Sequence, residues 1–319
     1  MKKYYNKTMT KIALLVPMYN EQEVLPLFWE KTQAVLSTIK EVAFEYVFVN
    51  DGSKDNTLTL LKDLASKNAS VKVITLSRNF GKEAALTAGL LEAAKADALI
   101  VLDADLQDPP ELISSFVEKF KEGYDTVYAS RQNRDTDSFF KRTTAAAFYR
   151  VYNILAERPI PTDAGDCRLI SSRVAQAVLA LPERERFMKG LFSWVGFKTA
   201  SVPYVRPERA AGETKWNYWR LWNFALSGIT ASGSLPLKLW TYFGLLIAGL
   251  AFLYAIVVAG KKIFLGNPVS GYSSLMVAIL FFSGVQLISL GVIGEYLSRI
   301  FVEVKARPPY IIDEKINCD

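Results

Sequence analysis

The sequence predicts an α/β protein built on a mainly parallel, doubly wound sheet, followed by a C-terminal hairpin of two membrane-crossing helices. Three observations predict it. Short apolar runs at residues 12–16, 46–50, 71–76 and 98–102 alternate with helix-length stretches, the rhythm of strand–helix units in a parallel sheet. Polar and charged residues (Asn20, Asp51, Arg78, Asp103, Asp105) gather just after those runs, at the edge where such sheets bind ligands. Apolar residues make up 50% of the 319-residue chain, and the excess is concentrated near the C-terminus.

Composition narrows the chemistry. The chain contains no histidine, which removes His-based triads, His general bases and His metal ligands. Its two cysteines, Cys167 and Cys318, have no metal-ligand spacing and form no disulfide framework, which points to a reducing compartment. Any metal is therefore expected on oxygen ligands, as Mg²⁺ or Mn²⁺. A net charge of +6 and a pI near 9.1 suit anionic lipid, nucleic acid or a site that handles phosphates.

Taken in order, Ile12-Ala13-Leu14-Leu15-Val16 is too short for a signal sequence and stops at Pro17, so it reads as a buried first strand. A helix is expected from about Glu21 to Ile39. The second run, Tyr46 to Asn50, ends in Asp51-Gly52-Ser53-Lys54-Asp55-Asn56-Thr57, a turn rich in helix-capping residues. The third, Val71 to Leu76, leads through Ser77-Arg78-Asn79-Phe80-Gly81-Lys82 into a helix over about Glu83 to Ala94. The fourth ends in Asp103-Ala104-Asp105-Leu106-Gln107-Asp108, and Pro109-Pro110-Glu111 opens the next helix. Asp103 and Asp105, two apart, share one face if strand geometry persists, and can then hold one hard cation. No Gly-x-Gly-x-x-Gly or Gly-x-x-x-x-Gly-Lys-Ser/Thr cradle occurs.

These motifs resemble glycosyltransferase family 2 with the GT-A fold, and most closely its polyprenyl-phosphate glycosyltransferases, the dolichyl-phosphate mannose synthase and bactoprenol glucosyltransferase group. The resemblance rests on residues 16–21, 49–55, 78–82, 103–110 and Gly165-Asp166-Cys167-Arg168-Leu169, in the family's order. It departs from the family at Cys167, where an aromatic is usual.

The resemblance implies a membrane-anchored, metal-dependent, inverting enzyme that takes a sugar from a nucleotide donor, taken as UDP-glucose, to a polyprenyl phosphate. Asp103, Asp105 and Gln107 would hold the metal; Pro17, Tyr19, Glu21 and Asp51 would form the nucleoside pocket; Arg78 and Lys82 would lie near the nucleotide. For Glu21, complementing a helix dipole is an equal alternative. Arg131 and a cation near Lys141-Arg142 would grip the lipid phosphate, at the start of an amphipathic helix that reads equally as interfacial or core-packed. Asp166 would orient sugar hydroxyls or the acceptor; a salt bridge to Arg168 is its other reading. Arg209 and Lys215, in a loop that resembles the family's Gly-Glu-Ser-Lys loop, would order over the donor diphosphate. No nucleic-acid partner is expected.

Glu183 to Trp194 reads as a helix, and Thr199 to Val205 as an edge strand interrupted by Pro203. Trp216, Tyr218, Trp219, Trp222 and Phe224 give an aromatic density typical of a bilayer interface. Leu239 to Gly260 is uncharged and about 33 Å long as a helix, enough for a hydrocarbon core of about 30 Å. A second span is expected from about Ser273 to Leu297. Basic residues precede the first span (Arg206, Arg209, Lys215, Arg220, Lys238) and follow the second (Arg299, Lys305, Arg307), which orients both flanks to the cytoplasm of an inner-membrane protein. The expected layout is a catalytic domain over 1–215, an interfacial helix over 216–234, two spans over 235–299 and a cytoplasmic tail over 300–319. Gly284, Gly291 and Gly294 would allow close helix approach, between copies in a homo-oligomer or within one hairpin.

The alternatives are transfer of another sugar (mannose from GDP-mannose, or an amino sugar) and a catalytically silent membrane scaffold. A processive polysaccharide synthase would need more spans and a Gln-x-x-Arg-Trp motif, which is missing.

Overall fold

The computed structural model describes residues 9–132, 164–205 and 271–318, together with scattered positions between 150 and 161 and between 242 and 257. An eight-stranded sheet, ordered β7-β5-β6-β4-β1-β2-β3-β8, organises it. The strands are β1 (Thr10–Met18), β2 (Val42–Asn50), β3 (Val71–Leu76), β4 (Ala98–Val101), β5 (Thr126–Arg131), β6 (Ala164–Ser171), β7 (Thr199–Tyr204) and β8 (Ile312–Ile316). Strands β3, β2, β1 and β4 run parallel in that spatial order, which confirms the doubly wound half. Beyond β4 the sheet becomes mixed: β6 runs antiparallel to both β4 and β5, while β7 is parallel to β5.

The period of two along β1 explains its unbroken apolar sequence. Ile12, Leu14, Val16 and Met18 enter one core with Leu25, Phe28, Leu61, Ile113 and Phe116, on the side of α1 (Leu25–Leu36), α2 (Thr57–Lys67) and α4 (Leu112–Lys121). Ala13 and Leu15 enter a second core on the other face, with α3 (Lys82–Ala93), α5 (Ser172–Leu179) and α6 (Met188–Trp194). Both faces are covered along residues 12–18, so that stretch holds no polar residue, while Thr10 and Lys11 sit at the open start of the strand. Helix α3 lies very close to the sheet: a Cβ on Gly89 would sit 2.1 Å from Leu15 Cδ1.

Two boundaries differ from expectation for physical reasons. The first helix begins at Leu25, with Pro26 in its first turn, because the main chain at 20–22 is held by the neighbouring loop. The helix expected from Glu183 begins only at Met188, since residues 184 and 185 dock through their backbone amides onto Glu303.

The predicted edge strand is β7, at one margin of the sheet. At the other margin the C-terminal segment returns as β8, antiparallel to β3. Between them comes α7 (Tyr272–Lys305), which starts where the second span is expected and extends beyond it. Within it Phe281–Lys305 is the one stretch among the described residues long and apolar enough to cross a membrane, and Leu287, Leu290, Leu297 and Phe301 point outward. The described positions between 242 and 257, inside the expected first span, are helical, and Leu246, Leu250, Leu253 and Tyr254 are exposed.

Candidate active site

The exits of β1 and β2 are laced together by side chains that accept main-chain N–H groups. The Asn20 amide donates to Ser53 Oγ at 3.0 Å, the Lys54 amide to Asn20 Oδ1 at 2.8 Å, the Glu21 amide to Thr57 Oγ1 at 2.9 Å and the Gln22 amide to Asp55 Oδ2 at 3.2 Å. Asn20 takes a left-handed conformation (φ 55°), which asparagine tolerates. Pro17, Tyr19 and Glu21 therefore lie on a braced rim. The Glu21 carbonyl accepts from Val24 and Leu25, so this residue precedes α1 by one turn.

Asp51 braces the next loop. Its carboxylate is 4% exposed, and its two oxygens accept the backbone N–H groups of Phe80 (2.7 Å) and Gly81 (2.9 Å). Burial raises its pKa, against the pull of those amides and of Arg78. Gly52 must be glycine for two reasons: φ is +63°, and a Cβ there would lie 2.4 Å from the Arg78 carbonyl carbon. Arg78 itself is exposed, donates to the Asn79 carbonyl and stacks over Phe80 at 3.9 Å.

The centre of the site is a chain of charges joining the exits of β3 and β4 to the start of the antiparallel β6 and to α6. Lys82 opens α3, a position where the helix dipole disfavours a cation. Its ammonium lies 2.7 Å from the Asp103 carboxylate and 2.7 Å from Asp166 Oδ2. Asp166 Oδ1 also pairs with Lys189 Nζ at 3.0 Å. Burial alone would raise the Asp166 pKa, but Lys189 and Lys82 hold it well below the usual carboxylate range. The salt bridge considered between Asp166 and Arg168 gives way to these lysines: the Arg168 guanidinium donates to the Gly165 and Asp166 carbonyls and stacks on Phe192.

Asp103 behaves oppositely. Burial lifts its pKa, Lys82 opposes, and Asp166 and Asp108 add to the rise. The β4 exit thus crowds more acid than its one lysine neutralises. Asp105 caps the following turn, accepting the Gln107 amide at 3.1 Å, and Leu106 is left-handed (φ 57°) with its side chain buried. The carboxylates of Asp103 and Asp105 and the side-chain carboxamide oxygen of Gln107 are hard oxygens of the kind that Mg²⁺ or Mn²⁺ takes. Cys167 is fully buried and burial pushes its thiol pKa far up, so it is no competing thiolate. Among the described residues no group of three or more Asp, Glu, Cys or His side chains forms a metal cage, so this acid pair would leave positions for ligand oxygens.

Sequence reasoning missed four residues here. Glu83 accepts the Met188 amide at 3.0 Å, and burial pushes its pKa up to about 7. Lys189, inside the helix expected over Glu183 to Trp194, pairs with Asp166. Tyr204, buried on β7, donates its hydroxyl to the buried Asp108 carboxylate, and Arg131 hydrogen-bonds the same hydroxyl. The Pro203-Tyr204 strand end and the last acid of the 103–108 motif were the available signals. Lys141, Arg142, Arg209 and Lys215 lie outside the described residues, as do the aromatic residues 216–224.

The Glycosyl transferase family 2 model matches residues 13–179, which hold β1 to β6 and every acid of this site. The chain belongs to glycosyltransferase family 2. Its fold is the family's GT-A arrangement, and a second model, the GtrB C-terminal hairpin, matches residues 235–300. An uncharacterized glycosyltransferase of Synechocystis is 51% identical over 304 residues, 95% of each chain. The SfII prophage-derived bactoprenol glucosyl transferase of Shigella flexneri is 49% identical over 95% of this chain and 97% of its own. The prophage bactoprenol glucosyl transferase homolog of Escherichia coli K12 is 48% identical over 95% and 98%. The resemblance read from the five motifs therefore extends through the C-terminal hairpin, and the chain is a membrane-associated member of the family.

Proposed function

We propose that this family 2 enzyme transfers glucose from UDP-glucose to a polyprenyl phosphate, undecaprenyl phosphate in bacteria, at the cytoplasmic leaflet. The observation that carries the reading is the ionic chain Asp103–Lys82–Asp166–Lys189 at the carboxyl edge of the sheet. The two relatives named for bactoprenol glucosyl transfer, aligned over almost all of this chain, supply the substrate class.

Each residue then has a role. The rim of Pro17, Tyr19, Glu21 and Asp51 receives the nucleoside, and Arg78, Lys82, Arg209 and Lys215 receive the diphosphate. Asp103 and Asp105, with Gln107, would hold Mg²⁺ or Mn²⁺, which supplies positive charge where the leaving UDP becomes more negative. Lys82 supplies a fixed positive charge to the same region. Asp166, kept ionised by its two lysines, accepts hydrogen bonds and orients sugar hydroxyls or the acceptor; it is a poor proton carrier at neutral pH. Arg131, braced by Tyr204, and Lys141 and Arg142 receive the acceptor phosphate.

The acceptor explains the absence of histidine. A phosphate monoester has a second pKa of about 6 and is largely a dianion at neutral pH, so it needs alignment rather than a strong base. In-line attack of its oxygen on the sugar C1 inverts that carbon and expels UDP. The layout that serves this chemistry is the one read from the sequence: catalytic domain 1–215, interfacial helix 216–234, two spans within 235–299 and a cytoplasmic tail 300–319. Self-association through Gly284, Gly291 and Gly294 belongs to the same proposal.

The test is to incubate the full chain in bilayers with labelled UDP-glucose, Mg²⁺ or Mn²⁺ and a short polyprenyl phosphate, then extract lipid. Label in the lipid from UDP-glucose and not from GDP-mannose is expected. No label from any donor would overturn the enzyme reading, and label from another donor alone would overturn the sugar.

A further inference from the structure

A second cluster of charges, rich in arginine, adjoins the charge chain just described through Glu83. A cavity of about 300 Å³ opens between the first turns of α3, the 184–187 segment and the end of α7, lined among others by Phe80, Glu83, Arg184, Arg186 and Arg299. Such a volume is at the small end of ligand pockets. Three guanidinium groups converge on it from two distant parts of the chain.

The acids around it are already engaged. Glu185 pairs with Arg299 at 2.7 Å, and Glu295 with Arg299 at 3.1 Å. Glu303 accepts the Arg184 amide at 2.8 Å, and Glu83 accepts the Met188 amide. Arg184 Nη1 donates to the Arg307 carbonyl. Arg186 hydrogen-bonds main-chain carbonyls, Nε to Glu183 at 3.0 Å and Nη2 to Leu181 at 2.7 Å, while the Glu183 carboxylate acts on it through space. Its Nη1 is buried with no partner, and so is Nε of Arg299. Both residues line the cavity, and an unsatisfied charged donor is costly through the desolvation of an N–H that water does not reach. A phosphate oxygen satisfies such donors better than any neutral acceptor, through short charge-assisted bonds.

Location narrows the ligand. Arg299 lies inside the Phe281–Lys305 stretch of α7, past the uncharged run that ends at Gly294, where an acidic headgroup would be at hand.

We propose that this cavity binds a phosphate group, carried by an anionic phospholipid headgroup or free in solution, and that the bound anion clamps α7 to the catalytic domain. The clamp acts through Arg186 from the domain side and Arg299 from the helix side. It involves none of the residues assigned to the donor, metal or acceptor, and it stands whether or not the proposed glucosyl transfer does.

The experiment follows thermal unfolding of the full chain in neutral detergent while inorganic phosphate or short-chain phosphatidylglycerol is added. Binding to the folded state alone raises the midpoint as ligand exceeds its dissociation constant. A rise of a few degrees is expected in the parent protein, largely lost in Arg186→Gln and partly kept in Arg186→Lys. The second variant is Ala84→Glu, which brings a carboxylate to the cavity wall with every arginine in place; it too should lose the ligand-dependent rise, while folding without ligand. A rise with phosphatidylglycerol alone identifies the headgroup as the source, and a rise with both identifies free phosphate as sufficient. No rise with either ligand, or an equal rise in the parent, Arg186→Gln and Ala84→Glu, would overturn the proposal.

Discussion

The Lys82 ammonium lies 2.7 Å from the Asp103 carboxylate, at the point where helix α3 meets the exit of strand β4. The same nitrogen reaches Asp166, so one lysine joins the metal end of the site to the acid on β6. Lys82→Met should lower transfer on the order of 10²-fold, the usual loss when one preorganised charge is removed from a transition state. Lys82→Arg should recover part of it. Radiolabel transfer into lipid measures both, and a Met variant with parental kcat would refute the role.

Asp103→Ala should abolish transfer while the protein stays in the membrane fraction. Chelation by EDTA should do the same to the parent, with recovery on adding Mg²⁺ or Mn²⁺. Activity retained in excess chelator would remove the metal from Asp103 and Asp105.

Asp51→Asn replaces one of two accepting oxygens with a donor facing an amide. One backbone N–H at Phe80 or Gly81 then loses its partner, a cost of about 1–3 kcal/mol. Because that loop carries Arg78 and leads to Lys82, KM for the donor should rise more than kcat falls. Chemical denaturation and steady-state kinetics read the two effects separately.

Glu83 supplies a pH signature. Its pKa rises from the ordinary 4.5 to about 7 on folding. The folded state therefore holds the proton more tightly than the unfolded chain. This group's contribution to stability is full below pH 4.5, declines as pH rises, and is lost above 7. Glu83→Gln removes the penalty of burying the charge and keeps an oxygen for the Met188 amide. The variant should be more stable than the parent above pH 7, by up to about 3 kcal/mol, and equal to it near pH 4. Unfolding midpoints at the two pH values decide it.

Tyr204→Phe leaves the buried Asp108 carboxylate without its hydroxyl donor and loosens Arg131. A loss of about 1.5–3 kcal/mol in stability is expected, with a weaker apparent affinity for the lipid acceptor. Asp108→Asn with Tyr204→Phe should cost less than the sum of the singles.

The sequence by itself determined the four parallel strands, because a strand buried on both faces is dominated by apolar residues and a parallel partner must follow a helix-length crossover. It also determined that the polar and charged residues Asn20, Asp51, Arg78, Asp103 and Asp105 share one edge, since chain direction alone puts strand exits together. The C-terminal membrane-crossing helix followed from length and hydropathy.

Partnership was left to the tertiary structure. Lys82 and Asp166 are far apart in sequence, and no local rule says that β6 inserts antiparallel beside β4 and brings Asp166 to that lysine. Nor does local pattern reveal that Glu303 would capture the backbone at Arg184 and so delay α6 to Met188. Periodicity reports which face of an element is buried; which charge meets which is fixed only when distant elements pack, because ion pairing depends on distances that sequence spacing does not encode.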